Sequence, residues 1–349
     1  MRRELKPITL GNRRAALRAL ALAALVGAGS LGLTLNCRSA NASDAPQGSA
    51  AEQLEPAFKA FDLDWRDDRR QRDVPVKLYW PSRTTHGGRV PLIVFSHGIG
   101  GSRQGYSYLG SYWASQGYAS LHVQHVGSDR QLWFGNPFGL VSRLQGAAQT
   151  SEAVNRARDV SFALDQILQS EWGERIDAQH IVAAGHSYGA NTTMLLAGAH
   201  VARQGQLIDL HDNRIMAAII ISAPPFYGEG EPAAILQSIT IPTLHITATE
   251  DVIQIPGYYS AASDRLQIFD AMGGARKALA VFEGGSHSIF TDRGGTGGME
   301  LNPKVKAATR ELTLAFLGSV FEDRQDELLQ WSERWHGIVA RWVRPAALN

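Results

Sequence analysis

The sequence predicts an α/β protein: a mostly parallel central sheet with helices packed on both of its faces. Three observations carry this expectation. Six short strand-like runs, four of them apolar at every position, suit strands buried on both faces. Segments with apolar residues at helical spacing separate them. The residues just after several runs are Gly, Ser, His and acids, where ligands and chemistry collect in such sheets.

Taken in chain order, Val76–Trp80 alternates and stops at Pro81, as a strand does. Residues 91–95 are the first wholly apolar run and end in Ser96-His97-Gly98. Tyr106–Gln116 reads as a helix closed by Gly117, and Tyr118–Val123 as the next strand. Glu152–Leu168 places Val154, Ala157, Val160, Ala163, Leu164 and Ile167 on one helical face. Ile181–Ala184 is a buried-type strand, followed by Gly185-His186-Ser187-Tyr188-Gly189 and a helix to Ala202. Ala217–Ile221, Leu244–Thr247 and Leu279–Phe282 are three more strands. Lys304–Phe321 and Asp326–Val343 are expected to close the chain as helices.

The pattern G-x-S-x-G between a strand and a helix is a nucleophile elbow. The turn is so sharp that the serine takes strained φ/ψ, and the glycines let strand and helix cross closely. Ser187 is therefore the candidate nucleophile. A serine needs a base, and the base an orienting carboxylate, in the chain order Ser, acid, His. The run 244–247 leads into Glu250-Asp251, and the run 279–282 into Gly284-Gly285-Ser286-His287. His287 is the expected base and Asp251 the expected acid, with the adjacent Glu250 as the alternative. The N–H groups of Tyr188 and Ile99 are the expected oxyanion donors, the second in the glycine-rich stretch 98–101. His97 and His186 are expected to buttress the turns they occupy.

These three stretches, Ser96-His-Gly-Ile-Gly-Gly-Ser-Arg103, Gly-His-Ser-Tyr-Gly and Gly-Ser-His-Ser-Ile-Phe, resemble α/β-hydrolases from about residue 60 to about residue 320. They are most similar to bacterial proteins grouped with dienelactone hydrolases and platelet-activating-factor acetylhydrolases. Serine stands where dienelactone hydrolases proper carry cysteine, and the His-Gly-Gly-Gly loop of lipases is absent. The resemblance implies hydrolysis of carboxylic esters through an acyl-enzyme, on a small-molecule or polymeric ester, with no metal and no organic cofactor. Alternatives are an amidase or peptidase on the same three residues, or a polyester depolymerase. A non-catalytic binding protein would be expected to have lost one of the three, and all are present. Trp133 and Phe134, in the long connection 126–150, with Phe226, Tyr227, Ile289 and Phe290 at strand ends, are expected to form an apolar substrate site.

Composition narrows the remaining classes. Charged residues make up 19% and hydrophobic ones 44%, which excludes a disordered chain. A formal charge of +1 excludes the basic surface that nucleic acid would require. Seven of the 34 basic residues and one of the 33 acids lie in the first 42 residues, so the remainder carries −5. Those 42 residues combine a basic start, an uncharged run from Ala19 to Leu35 and a terminal Ala40-Asn41-Ala42, the pattern of a cleaved signal peptide. Asn12–Leu17, with Arg13-Arg14, resembles a twin-arginine export signal. The chain is thus expected to be exported to the periplasm or beyond, without stable membrane insertion after cleavage. Residues 43–56 are expected to be a flexible lead-in, and 57–349 one catalytic domain. The single cysteine, Cys37, would leave with the signal.

Overall fold

Alternate residues of the central strands belong to two different cores, the packing consequence of a sheet covered on both faces. Leu92 and Val94, Ile181 and Ala183, Ala218 and Ile220 sit in one cluster. Their neighbours Ile93 and Phe95, Val182 and Ala184, Ile219 and Ile221 sit in the other. This period of two is why the runs are apolar at every position.

The computed structural model describes residues 56–345 apart from 84–87, 204–205, 229 and 256, and these fall in one compact unit. The expected signal peptide and all of the lead-in but Pro56 lie outside the described residues. In chain order the elements are β1 (Phe58–Asp67), β2 (Arg72–Pro81), β3 (Val90–Ser96), α1 (Ser107–Ser115), β4 (Ala119–Val123), α2 (Leu140–Ala147), α3 (Thr150–Gln169), β5 (Ile176–His186), α4 (Tyr188–Leu196), β6 (Val201–Arg203), β7 (Gln206–Ile208), β8 (Ile215–Ile221), α5 (Pro232–Leu236), β9 (Thr243–Glu250), β10 (Ile253–Ile255), β11 (Tyr258–Ser260), α6 (Ala262–Ala271), β12 (Lys277–Ser286), α7 (Leu301–Phe321), α8 (Asp326–Trp335) and β13 (Val339–Val343).

Nine strands form the main sheet in the order β1-β2-β4-β3-β5-β8-β9-β12-β13. The six from β4 to β12 pair in parallel. β1, β2 and β13 pair antiparallel at the two edges. This is the α/β-hydrolase architecture that the apolar runs and strand-end motifs anticipate. Helix α3 supplies Ala157, Val160, Ala163, Leu164 and Ile167 to the first core. Helices α1, α7 and α8 supply Leu109, Trp113, Phe316, Leu328 and Trp331 to the second. Two small antiparallel hairpins, β6–β7 and β10–β11, stand apart from the main sheet. Among the described residues no helix is long and apolar enough to cross a membrane.

The structure corrects three readings. The helix expected to reach Ala202 stops at Leu196, because Gly198 takes φ +105° and turns the chain into the β6–β7 hairpin. The helix expected over Asp326–Val343 is two elements: α8 ends at Trp335, and Val339–Val343 becomes edge strand β13. Trp331 and Trp342 fit one helical stripe by spacing, yet they meet across the helix–strand corner with ring centroids 4.9 Å apart. The connection 126–150, read as a long loop, contains α2.

His122 and His245 are wholly enclosed, and burial holds each imidazole down at about 3. Their unfolded values near 6.5 are higher, so the unfolded chain binds more protons between those limits. Stability is therefore full above about pH 6.5 and falls as the pH drops toward 3. Urea denaturation at pH 7 and pH 5 should differ by on the order of 2 kcal/mol for each histidine. His122→Gln should flatten that dependence; an unchanged slope would contradict the assignment.

Candidate active site

The elbow is steric. Ser187 sits between β5 and α4 at φ 56°, ψ −123°, a conformation few non-glycine residues adopt. A Cβ on Gly185 would lie 2.2 Å from the carbonyl oxygen of Gly189, and one on Gly189 would lie 1.8 Å from that of Ser96. No side chain fits at either place, so strand, turn and helix N-terminus pack backbone on backbone. The result lifts the Ser187 hydroxyl clear of the sheet at the start of α4.

The Ser187 Oγ lies 2.9 Å from Nε2 of His287, which follows β12. The other ring nitrogen, Nδ1, lies 2.8 Å from Oδ1 of Asp251, which follows β9. The structure brings together the three residues singled out from sequence, and it separates the two adjacent acids. Asp251 is fully buried, whereas Glu250 points to solvent. Burial disfavours the Asp251 carboxylate, but the hydrogen bond and charge of His287, the charge of Arg265 and the Ser222 hydroxyl outweigh it and hold the group well below the usual carboxylate range.

Several of those supports were invisible in the pattern. The Ser222 hydroxyl, at the end of β8 and at φ 55°, donates to Asp251 Oδ2. The Ser222 Oγ is also 2.7 Å from His287 Nδ1. Thr247 Oγ1 donates to Asp251 Oδ2 at 2.7 Å, and Arg265 Nη2 stands 3.4 Å from Oδ1. Ser222 had one signal, its place directly after an apolar run. Arg265 had none, since α6 lies outside every motif.

Ile99 and Tyr188 line the same cavity as Ser187 and His287. Tyr188 is the first residue of α4, where an N–H has no acceptor within the helix. Among the described residues the Ile99 N–H makes no backbone hydrogen bond, while its neighbour Gly100 N–H donates to Ser128 O at 2.8 Å. Both amides are thus free to face a ligand oxygen. His97 and His186 do buttress: His97 Nδ1 meets Gly98 O at 2.7 Å, and His186 joins Tyr106 and the backbone oxygen of His287.

The cavity holds about 350 Å³. Phe226 and Tyr227 line it, as expected, with Val154 of α3, Leu195 of α4, Ile208 of β7 and Ile253 and Tyr258 of the second hairpin. Among the described residues, no Asp, Glu, Lys or Arg side chain lines it. The other four aromatic and aliphatic expectations fall elsewhere. Ile289 and Phe290 are fully buried in the second core, because the turn after His287 tucks them under the sheet edge. Trp133 packs on the outside of Gly100 and donates from Nε1 to its carbonyl at 2.8 Å, and Phe134 is 64% exposed to solvent.

Known proteins resemble parts of this chain. Residues 70–131, which carry β2, the Ile99 turn, α1 and β4, match the family model of platelet-activating factor acetylhydrolase, isoform II. The chain is 26% identical over 154 residues to the platelet-activating factor acetylhydrolase of Cavia porcellus and 28% identical over 154 residues to that of Canis lupus familiaris. Each match covers 35% of this chain, which spans 35% of the length of those relatives. A ferulic acid esterase from Streptomyces cinnamoneus superposes with a TM-score of 0.56 at 23% identity, over 79% of this chain and 93% of its own. That likeness shows the shared fold.

Gly189→Ala tests the elbow. Its added methyl cannot avoid the Ser96 carbonyl, so the variant should lose at least about 3 kcal/mol in urea denaturation or fail to accumulate folded. A wild-type midpoint would mean that the crossing is looser than described.

Proposed function

We propose that this chain is a serine hydrolase that cleaves carboxylic esters in two acyl-transfer steps. The observation that carries the reading is the hydrogen-bonded series Ser187–His287–Asp251 opening into an uncharged chamber. The similarity to platelet-activating factor acetylhydrolases and the fold shared with an esterase support the same class of reaction.

In the first step His287 Nε2 takes the Ser187 proton as Oγ attacks the ester carbonyl. Asp251 holds the imidazole with Nδ1–H directed at its carboxylate and offsets the positive charge that develops. The Ile99 and Tyr188 amides donate to the oxyanion, an effect worth roughly 3 kcal/mol per donor. His287 then returns the proton to the departing alcohol. In the second step it takes a proton from water, which attacks the acyl-serine, and hands that proton to Ser187 Oγ as the bond to the acyl carbon breaks and the carboxylic acid leaves. Walls on several sides of Ser187 suit a small ester better than a polymer chain, which needs an open groove. The chamber volume lies at the small end of ligand pockets. The leader over residues 1–42 would export the enzyme, and the mass of the protein recovered outside the cytoplasm should lack it.

Activity on p-nitrophenyl esters from acetate to palmitate should peak at short to medium chains and fall at palmitate. Ser187→Ala should abolish it, and Asp251→Asn should lower kcat by about 10⁴-fold. Glu250→Gln should leave it within about twofold, because that side chain faces solvent. A folded wild type without ester turnover would sink the proposal; full activity in Asp251→Asn would reassign the acid.

A further inference from the structure

Arg156 is wholly buried in α3 and takes no direct part in the chemistry above. Burial lowers its guanidinium only to about 10, so it is charged at neutral pH. Among the described residues it forms no ion pair. The nearby acids are engaged elsewhere: Asp159 with Arg70, Arg72 and His125, and Glu152 with Arg72 and Ser128. A buried cation is tolerated only where its donors are satisfied, and here neutral oxygens satisfy them. Nε donates to Thr192 Oγ1 at 3.0 Å, Nη1 to Ser128 Oγ at 2.8 Å, and Nη2 to Ser96 Oγ at 3.2 Å and to the His97 carbonyl.

Those partners bracket both oxyanion donors. His97, two residues before Ile99, is held by its carbonyl. Ser128, which receives the N–H of Gly100 just after Ile99, is held by its hydroxyl. On the other side the guanidinium lies over the Tyr188 ring, 4.4 Å from its centroid. Thr192, its fourth partner, donates to the Tyr188 carbonyl at 3.1 Å. One planar cation therefore ties the loop that presents the Ile99 amide to the helix turn that presents the Tyr188 amide.

We infer that Arg156 is the positioning residue of the oxyanion site: its fork sets the spacing of the Ile99 and Tyr188 amides. The inference rests on the ester-hydrolase reading. Lysine is a point charge that cannot span four acceptors in a plane, so charge alone should not replace it.

The test compares wild type with Arg156→Met, Arg156→Lys, Ser96→Ala and Ser128→Ala. The two serine variants each remove one acceptor of Arg156, together with the Ser96–His125 or the Ser128–Glu152 hydrogen bond, with little change in volume, and keep the test open where Arg156→Met does not fold. Fluorophosphonate titration of Ser187 gives the concentration of active sites, so lost protein is not counted as lost rate. The readouts are kcat, KM and the Ki of a trifluoromethyl ketone, which adds to Ser187 and places an oxyanion between the two amides. Arg156→Met should lower kcat per titrated site by about 100-fold, with KM within about threefold. Ki should rise by the same factor as kcat/KM falls, across all variants that fold, and Arg156→Lys should recover less than a tenth of the loss. A fall in kcat with Ki unchanged would overturn the inference, as would full rescue by lysine or variants within threefold of wild type. A folded wild type that titrates but turns over no ester would instead remove the ester reading itself, and this inference with it.

Discussion

The contact between Gly189 and the carbonyl of Ser96 is the constraint on which the site depends. At that point α4 begins so close to the end of β3 that a methyl group has no place. Because the helix cannot retreat, the strand that feeds it must turn within one residue, and Ser187 is held at positive φ. The same closeness puts the first amide of α4 beside the Ile99 turn. The placing of the Ser187 hydroxyl and of the Tyr188 amide thus follows from one backbone crossing, at the cost of local strain.

Around that crossing the polar groups are arranged in two layers of opposite charge. Behind His287 lies a buried carboxylate with Ser222, Thr247 and Arg265 directed at it. Behind the Ile99 turn lies a buried guanidinium with four neutral acceptors. The carboxylate backs the imidazole of His287, and the guanidinium backs the loop and helix turn that carry the Ile99 and Tyr188 amides. Neither layer is among the residues that line the chamber, and among the described residues that lining carries no Asp, Glu, Lys or Arg side chain.

Much of this was legible from residue order. The six apolar runs became the six parallel strands, because a strand buried on both faces leaves a continuous apolar run in any context. Ser187, Asp251 and His287 were legible because this fold places chemistry directly after strands, and strand ends are easy to find when strands are wholly apolar. The choice between Glu250 and Asp251 was not legible: neighbours in a turn point in different directions, and only the turn at 248–251 decides which faces the imidazole. The C-terminal strand was misread for a related reason. Trp331, Trp335, Ile338 and Trp342 fit a helical stripe, and the break at Gly337 is a weaker signal than that period.

By itself the sequence determined the sheet, the elbow and the identity of the hydrogen-bonded trio, since each follows from local pattern and chain order. Tertiary structure alone decided which apolar residues line the chamber and which belong to the core. Ile289 and Phe290 lie two and three residues past His287 and yet belong to the core, while Ile208, far from any motif, and Ile253, two residues past Asp251, line the chamber. It also decided the role open to Arg156, whose partners are drawn from β3, the turn after β4 and α4. Local pattern records what a residue prefers to bury; it does not record which distant segments meet there, because that depends on how helices and hairpins pack across a sheet edge.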